Sequence, residues 1–388
     1  MPSVKRDRKH RLMNSQRRFE NIADISARFG LVYAVIPAIV LPLIIIFART
    51  PYLALIPIIY LAITVLADEY LPRMRRQIPN ARMVFSDFWL LLFGVNLMIF
   101  VVVALSFVNP SGWISLQWRQ LIGATGGTSA GATEIPGWQL AGLVFTMGLM
   151  FAVTYNVAHD LIHRIADKAR WGFGFLLLIL VGDSQLSVSH VYGHHPNVCT
   201  PDDPATARRG ESLYGFFLRS TLGQYREAWR FEVRRRQRLG KSAAWIYNRV
   251  FMGTLATVAF AMIIKTGFGT EALVCYLAAC FVGKFFFESA NYIQHYGLVR
   301  EPGNRVQAHD SWDCTAVASH FFMFNQNNHS DHHLKAGQRY WQLMPKDDAR
   351  QMPFGYITMI LIANFPPAWF HLIDPLIPEH RPALPAQG

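Results

Sequence analysis

Long runs of apolar residues without a single charge are the feature that most limits how this chain can fold. Residues 29–48 carry no charge, and residues 50–67 form a second run directly after Arg49. Residues 88–108 and 138–158 are each 21 residues long and uncharged. A helix needs about 20 apolar residues to cross the hydrocarbon core of a bilayer. These four runs therefore predict membrane-spanning helices.

Two weaker runs complete the pattern. Residues 245–264 include Arg249, and residues 272–290 include Lys284 and Glu288. Pro51 separates the first two runs and a Gly/Ser/Thr-rich loop separates the next two, so the runs pair into hairpins. The chain is 52% hydrophobic and 16% charged, against about 25% charged in soluble domains. We expect an all-α fold with a six-transmembrane-helix bundle.

The Lys and Arg residues predict the orientation of the bundle. Eight lie in residues 1–28, four in residues 71–85 and thirteen in residues 159–244, whereas residues 109–137 carry only Arg119. Because such residues favour the cytoplasmic side, we expect both termini to be cytoplasmic. The expected order is a basic segment (1–28), four spans (29–158), a cytoplasmic segment (159–244), two spans (245–290) and a second cytoplasmic segment (291–388). The net charge of +12 is spread between the spans, which argues against a nucleic-acid partner.

Nine of the 14 histidines fall into four short clusters beyond the cytoplasmic ends of the predicted spans. Several of them are three or four residues apart, a spacing that places side chains on one helical face. The other five histidines have no partner at such a spacing, and we do not expect them to bind metal. The clustered set is His159, His163, His190, His194, His195, His295, His329, His332 and His333.

This set of imidazoles indicates a metal site. Neutral imidazole suits Zn, Cu, Fe and Ni, whereas structural zinc prefers cysteine and a zinc protease needs HExxH. The four cysteines are scattered, and Asp160 follows His159 where that motif has Glu. Nine ligands are too many for one ion, so two ions with four or five ligands each are expected. Spacing alone does not identify the metal as iron.

The motifs HDLIHR, HVYGHH, NYIQHYGL and NHSDHH, together with the stretch 200–204 and Ser311-Trp312, resemble those of the integral-membrane alkane hydroxylase and xylene monooxygenase family. That family lies within the fatty acid desaturase-like superfamily of membrane di-iron proteins. The resemblance implies a histidine-rich di-iron cap on the cytoplasmic side of a bacterial inner membrane, O2 as co-substrate and hydroxylation of a C–H bond. Asp160, Ser189 and Gln294 stand where the family commonly has Glu, which leaves alkanes and alkyl-aromatics open as substrates.

Neutral ligands leave the charge of the metal uncompensated, so we expect polar groups behind them to accept the second ring N–H. Glu288 is the most informative candidate because a carboxylate in a span is costly unless it is paired or functional. The alternative for Glu288 is an ion pair with Lys284. The candidate set is Asp160, Asp203, Glu288, Asn291, Asp310 and Asp331.

The chain needs an outside source of electrons, since it has no GxGxxG segment or Cys cluster. We expect a rubredoxin or ferredoxin with its NAD(P)H reductase. An arginine-rich stretch is a candidate dock for such an acidic protein, with contact to anionic lipid as the alternative. Its residues are Arg226, Arg230, Arg234, Arg235, Arg236 and Arg238, of which the middle four are the predicted dock. Rival functions are a desaturase, or a metal transporter with histidines along a path through the spans.

Overall fold

The computed structural model describes residues 55–71, 86–121, 137–242 and 245–378. Helices dominate these residues. In chain order they are α1 (Ile56–Tyr70), α2 (Ser86–Val108), α3 (Trp113–Leu121), α4 (Gly137–Ile162), α5 (Lys168–Leu180), α6 (186–197), α7 (Leu213–Arg238), α8 (Arg249–Phe268), α9 (Thr270–His295), α10 (Val317–Phe322), α11 (His329–Leu334), α12 (Tyr356–Ala363) and α13 (Pro366–Ile373).

Helix α6 is irregular, and the remaining elements are short. α6 consists of an α-turn, Leu186–Val188, a π-helix, Ser189–His194, and a second α-turn, His195–Asn197. Single 3₁₀ turns occur at Trp245–Tyr247, Ala308–Asp310, Tyr340–Gln342 and Asp374–Leu376. Strands β1 (Trp312–Asp313) and β2 (Arg350–Gln351) pair in parallel, with Trp312 opposite Arg350. The described chain is therefore almost entirely helical, as the sequence predicted.

Four described helices are long and apolar enough to cross a membrane. They are Leu90–Val108, Gly137–Ile162, Arg249–Phe268 and Thr270–His295, and they correspond to the last four predicted spans. The predicted span 29–48 lies outside the described residues. The predicted span 50–67 overlaps α1, which has 15 residues. The chain is thus an integral membrane protein, while the six-span count and the cytoplasmic orientation stay predictions.

Helices α4 and α9 are packed closely through glycines. A Cβ atom added at Gly148 of α4 would lie 2.3 Å from a Val282 methyl carbon, and one added at Gly283 of α9 would lie 2.7 Å from the Phe151 Cβ. Small residues let membrane helices approach in this way. The contact holds the C-terminal ends of both helices together, which brings His159 and His295 to the same end of the bundle.

Two apolar stretches outside the predicted spans, residues 171–182 and 353–370, pack beside the bundle. Residues 171–182 fall mostly in α5, whose Gly174 lies against Leu161 of α4. Residues 353–370 fall in α12 and α13. Trp369 of α13 is fully buried between the rings of Tyr292 and Tyr296, with centroids 5.2 and 5.4 Å away. This packing fixes the chain on either side of His295.

Candidate metal centre

The nine predicted histidines gather into two groups at the end of the bundle where α4 and α9 finish. In each group the ligand atoms all lie within 4.8 Å of one another. The larger group, called here the five-histidine group, contains His159, His163, His190, His195 and His332. The smaller, called the four-histidine group, contains His194, His295, His329 and His333. The histidines therefore converge at one end and do not follow a path along the spans.

Three elements build the five-histidine group. α4 and the turn after it supply His159 and His163, α6 supplies His190 and His195, and α11 supplies His332. Their Nε2 atoms point at one another. The Nε2–Nε2 distances are 2.5 Å for His159 and His190, 3.0 Å for His190 and His195, and 2.9 Å for His195 and His332.

The four-histidine group draws on α6, α9 and α11. The Nε2 atoms of His295 and His329 are 2.9 Å apart, and those of His329 and His333 are 3.0 Å apart. Its rings lie directly beside those of the larger group, since the ring centroids of His195 and His333 are 4.5 Å apart. The two groups are therefore neighbours in one buried cluster.

The π-helix of α6 decides which group each of its histidines joins. The i, i+4 spacing of His190 and His194 predicted that they share one helical face. In the structure the backbone N–H of His195 donates to the carbonyl of His190, five residues earlier. The wider turn places His190 beside His195 and turns His194 into the other group. π-turns of this kind are often found at functional sites.

The geometry of both groups fits a metal ion. Imidazole nitrogens bind first-row metals at about 2.1 Å, so two ligands at right angles are about 3 Å apart, close to the spacing seen here. Burial lowers the pKa of His163 to about 3 and, together with neighbouring imidazoles, lowers the pKa of His190 and His332. These three rings are therefore neutral at pH 7, which is the form that binds metal.

The side chain of Asp203, one of the predicted outer carboxylates, contacts a clustered histidine. Its Oδ2 lies 2.8 Å from His194 Nδ1 and also accepts a 2.6 Å bond from the Thr206 hydroxyl. Burial alone raises the pKa of Asp203, but His194 and these hydrogen bonds outweigh it and lower the pKa. The ionised carboxylate thus fixes the proton of His194 on Nδ1 and leaves Nε2 for a metal.

Three other predicted carboxylates bind side chains or backbone N–H groups of neighbouring segments. Asp160 pairs with Arg164 and accepts the backbone N–H of Tyr340 at 2.8 Å. Asp331 lies 2.8 Å from Lys346 Nζ. The carboxylate of Asp310 accepts the backbone N–H of Gln307 at 2.8 Å, and its carbonyl oxygen lies 3.4 Å from His295 Nδ1.

Glu288 of α9 belongs to a buried polar network that joins α9 to two other parts of the chain. Its carboxylate contacts Lys284 Nζ at 2.7 Å, so the ion pair considered from the sequence is present. It also accepts bonds from Ser220 and Gln224 of α7 at 2.7 and 2.8 Å, and a 3.5 Å contact from Asn291. Lys284 reaches Asp183 at 2.8 Å as well. The network ties α7, α9 and the turn before α6 together.

Two residues next to the centre were missed by the sequence analysis. Asp313 follows the Ser311-Trp312 motif and accepts both the N–H and the hydroxyl of Ser330, at 2.8 and 2.6 Å, which anchors α11. Burial raises the pKa of Asp313 to about 7. Glu227 of α7 packs on Gly193 of the π-helix. Neither residue has metal-ligand spacing, so neither left a signal in the sequence.

The predicted arginine dock divides into two pairs. Arg235 is paired with Glu232, and Arg236 lies over the Tyr247 ring and donates to the Ser242 carbonyl. Arg230 and Arg234 are exposed on the outward face of α7.

The fold and the centre together define a helical membrane protein with a histidine-only candidate metal site. A family model described as "Fatty acid desaturase" matches residues 136–363, and the chain belongs to that family. It is 35% identical to alkane 1-monooxygenase 1 of Alcanivorax borkumensis, over 62% of this chain and 61% of that protein. It is 33% identical to alkane 1-monooxygenase of Acinetobacter baylyi, over 61% of this chain and 59% of that protein.

A further relative is named as an enzyme acting on aromatics. The chain is 29% identical to the xylene/toluene monooxygenase hydroxylase component of Pseudomonas putida, over 61% of this chain and 63% of that protein. The matches thus span about three fifths of the length of each of these relatives. They support the family resemblance predicted from the four histidine motifs.

Proposed function

We propose that the protein is a membrane-bound non-haem di-iron monooxygenase that hydroxylates a C–H bond of a hydrophobic substrate. The observation that carries the proposal is the pair of neighbouring groups built only from imidazoles. Imidazole donors suit iron among other metals, and the names of the relatives as monooxygenases favour iron and O2. When bound, two irons would supply the reduction of O2. The nine clustered histidines would hold them, and Asp203 would orient His194.

The overall reaction needs a redox partner. It converts R–H, O2, two electrons and two protons into R–OH and water. We propose that a rubredoxin or ferredoxin with its NAD(P)H reductase supplies the electrons, because the cysteines of the chain are scattered and form no electron-transfer centre. The sequence leaves two possible occupants for Arg230, Arg234, Arg235 and Arg236, namely this partner and anionic lipid.

An apolar cavity supports a hydrophobic substrate. It has a volume of about 60 Å³ and lies between α1, α4, α9 and α12. Asn156, one of its lining residues, is three residues before His159 on α4, which places the cavity next to the five-histidine group. Burial of hydrocarbon is favourable by about 0.8 kcal/mol per CH2 and needs few polar contacts. The lining residues are Tyr60, Leu61, Leu149, Ala152, Val153, Asn156, Phe286, Phe287, Ala290, Met323, Tyr356, Ile357 and Ile360.

The proposal includes a topology. The six predicted spans would lie in a bacterial inner membrane with both termini and the metal centre on the cytoplasmic side. An alkane or alkyl-aromatic would then enter from the bilayer, with a terminal or benzylic methyl next to the histidines.

The test is turnover of the full chain in membranes with a rubredoxin or ferredoxin system. Alkanes, alkyl-aromatics, terpenes and fatty acyl compounds are supplied under isotopically labelled O2, and products are identified by mass spectrometry. We expect alcohols that carry one labelled oxygen atom, and about two irons per chain. A protein that contains no such pair of irons when active, or a His194→Ala or His332→Ala variant with undiminished turnover, would contradict the proposal.

A desaturase is the second candidate, and the family match favours keeping it. The same centre would then remove two hydrogens from the substrate and release both oxygen atoms as water. An alkene without labelled oxygen would identify this reaction.

A further inference from the structure

The outward face of α7 changes character along the helix. Residues four positions apart are neighbours on a helix surface, and a series of them forms a line that winds slowly round the helix. In α7 such a line is exposed over its full length, and it begins with apolar side chains and ends with cationic ones. We call this line the outer stripe: Tyr214, Leu218, Leu222, Arg226, Arg230, Arg234 and Arg238. The first three are 50, 63 and 57% exposed.

The first half of α7 is apolar on its exposed face, whereas its buried face is mixed. Leu213 and Phe216 are buried, and so are Ser220 and Gln224, which both donate to the Glu288 carboxylate of α9. A helix that borders water normally shows apolar residues inside and polar residues outside. The exposed apolar half of the outer stripe departs from that pattern, as expected next to lipid.

Contacts with the α8–α9 hairpin give the depth of α7 in the membrane. The hairpin closes at Gly269. At 1.5 Å per residue, Phe281 lies about 18 Å from this turn and Arg249 about 30 Å, close to the thickness of the hydrocarbon core. The Phe217 ring of α7 packs on Phe281, with centroids 5.5 Å apart, and Glu232 pairs with Arg249 at 2.6 Å. Phe217 of α7 therefore contacts a part of the hairpin within the hydrocarbon, and Glu232 contacts the hairpin at the membrane boundary.

Other contacts of α7 lie in the same part of the hairpin. The Tyr225 hydroxyl lies 3.1 Å from the Thr254 hydroxyl, and Thr254 is about 22 Å from the turn. Ser220 and Gln224 contact Glu288, which is about 28 Å from the turn. α7 therefore lies along the half of the hairpin nearest the membrane boundary, where its arginines are within reach of lipid headgroups.

We propose that the outer stripe is a docking surface for anionic phospholipid headgroups. Its apolar half lies in the acyl layer, and its four arginines bind phosphate. Guanidinium groups donate two parallel hydrogen bonds to phosphate oxygens, and four arginines over 12 residues extend about 18 Å along the helix. The apolar half favours lipid over an acidic redox protein, because a protein dock would leave Leu218 and Leu222 facing water.

Lipid retention tests the charged half. The full chain is reconstituted in bilayers of phosphatidylcholine with a minority of phosphatidylglycerol and extracted gently, and bound lipid is identified by native mass spectrometry. We expect Arg230→Gln plus Arg234→Gln to weaken phosphatidylglycerol retention, by about fivefold for each arginine removed. A matched control, Lys168→Gln plus Arg305→Gln, removes two exposed cations elsewhere and should retain the lipid. Equal retention by all three proteins would overturn the proposal.

The kinetics of electron donation distinguish lipid from an acidic redox protein as the occupant of the outer stripe. If the Arg230/Arg234 variant retained phosphatidylglycerol but showed a higher KM for the reduced donor protein, the stripe would be a protein dock and the lipid proposal would be wrong. We expect the reverse: weaker lipid retention with an unchanged KM for the donor.

Chemical labelling tests the apolar half without relying on activity. Single variants Leu218→Cys and Arg238→Cys are treated in membranes with a membrane-impermeant maleimide, and labelling is measured above that of the unmodified chain. We expect Cys at 238 to react at least tenfold faster than Cys at 218, because acyl chains cover position 218. Equal reaction rates would show that the whole stripe faces water and would overturn the proposal.

Discussion

At the scale of single residues, Asp203 is the side chain whose chemistry is most sharply defined. Its carboxylate holds the Nδ1 proton of His194 and so aims Nε2 at the four-histidine group. We expect Asp203→Asn to lower metal affinity 10- to 100-fold, as is typical of lost outer partners. Metal titration of the metal-free protein measures this. Asp202→Asn, at the exposed neighbour, is the control, and an Asp203 variant with the affinity of the unmodified chain would contradict the assigned role.

Lys284 and Glu288 show which contacts of a single residue can be predicted from the sequence and which cannot. Their i, i+4 spacing is enough to predict the ion pair, and the pair is present. The partners that make the pair tolerable inside a bundle, Ser220, Gln224 and Asp183, are 64 to 101 residues away in the chain. No local pattern contains such contacts, because they depend on which helices become neighbours.

At the scale of elements, the π-helix depends on a glycine. A Cβ atom at Gly193 would lie 2.3 Å from a Glu227 carboxylate oxygen, so either the end of the half-buried Glu227 side chain or the π-helix must move. We expect Gly193→Ala to displace α6 and lower the metal content of both histidine groups, since α6 contributes to each. Metal analysis of the folded fraction measures the loss.

A second substitution tests the cause of that loss. If the carboxylate is what the added methyl meets, Glu227→Ala in the same chain should restore part of the metal content. Gly172→Ala is the control, because a Cβ atom at this helical glycine meets nothing within 4 Å. Failure of the double variant to recover any metal would assign the defect to the π-helix backbone instead.

At the scale of the whole molecule, the buried histidines make the stability of the metal-free protein depend on pH. Burial, with repulsion from neighbouring imidazoles, lowers the pKa of His190, His195, His329, His332 and His333, and it lowers the pKa of His163 to about 3. An unfolded histidine has a pKa of about 6.5. Below pH 6.5 the unfolded chain therefore binds more protons than the folded chain, and stability falls as pH falls.

The expected slope is about 1.4 kcal/mol per pH unit for each histidine that is protonated only when unfolded. The thermal midpoint of the metal-free protein in detergent, followed from pH 8 to about pH 5, measures the decline. His309→Gln plus His371→Gln, at two exposed positions, should leave the decline intact. A midpoint that rises on acidification would contradict neutral, buried imidazoles.

The sequence by itself determined the class of this molecule. Long apolar runs with few or no charges predict helices that cross a membrane, and four described helices have the length and composition to do so. Nine histidines in four clusters were enough to predict a metal centre, and the motifs around them carried the resemblance to the family. These conclusions rest on the identities and local spacing of residues, and both are given by the sequence itself.

Only the tertiary structure decided how the histidines are divided. Local spacing predicted that His190 and His194 share one helical face. In the structure the π-helix places His190 in the same group as His195, and His194 lies in the four-histidine group. The depth of α7, with its apolar and cationic halves, likewise follows from contacts with α8 and α9. The physical reason is the same in both cases. Packing between segments distant in the chain selects a backbone turn or a helix position that the local sequence leaves undetermined.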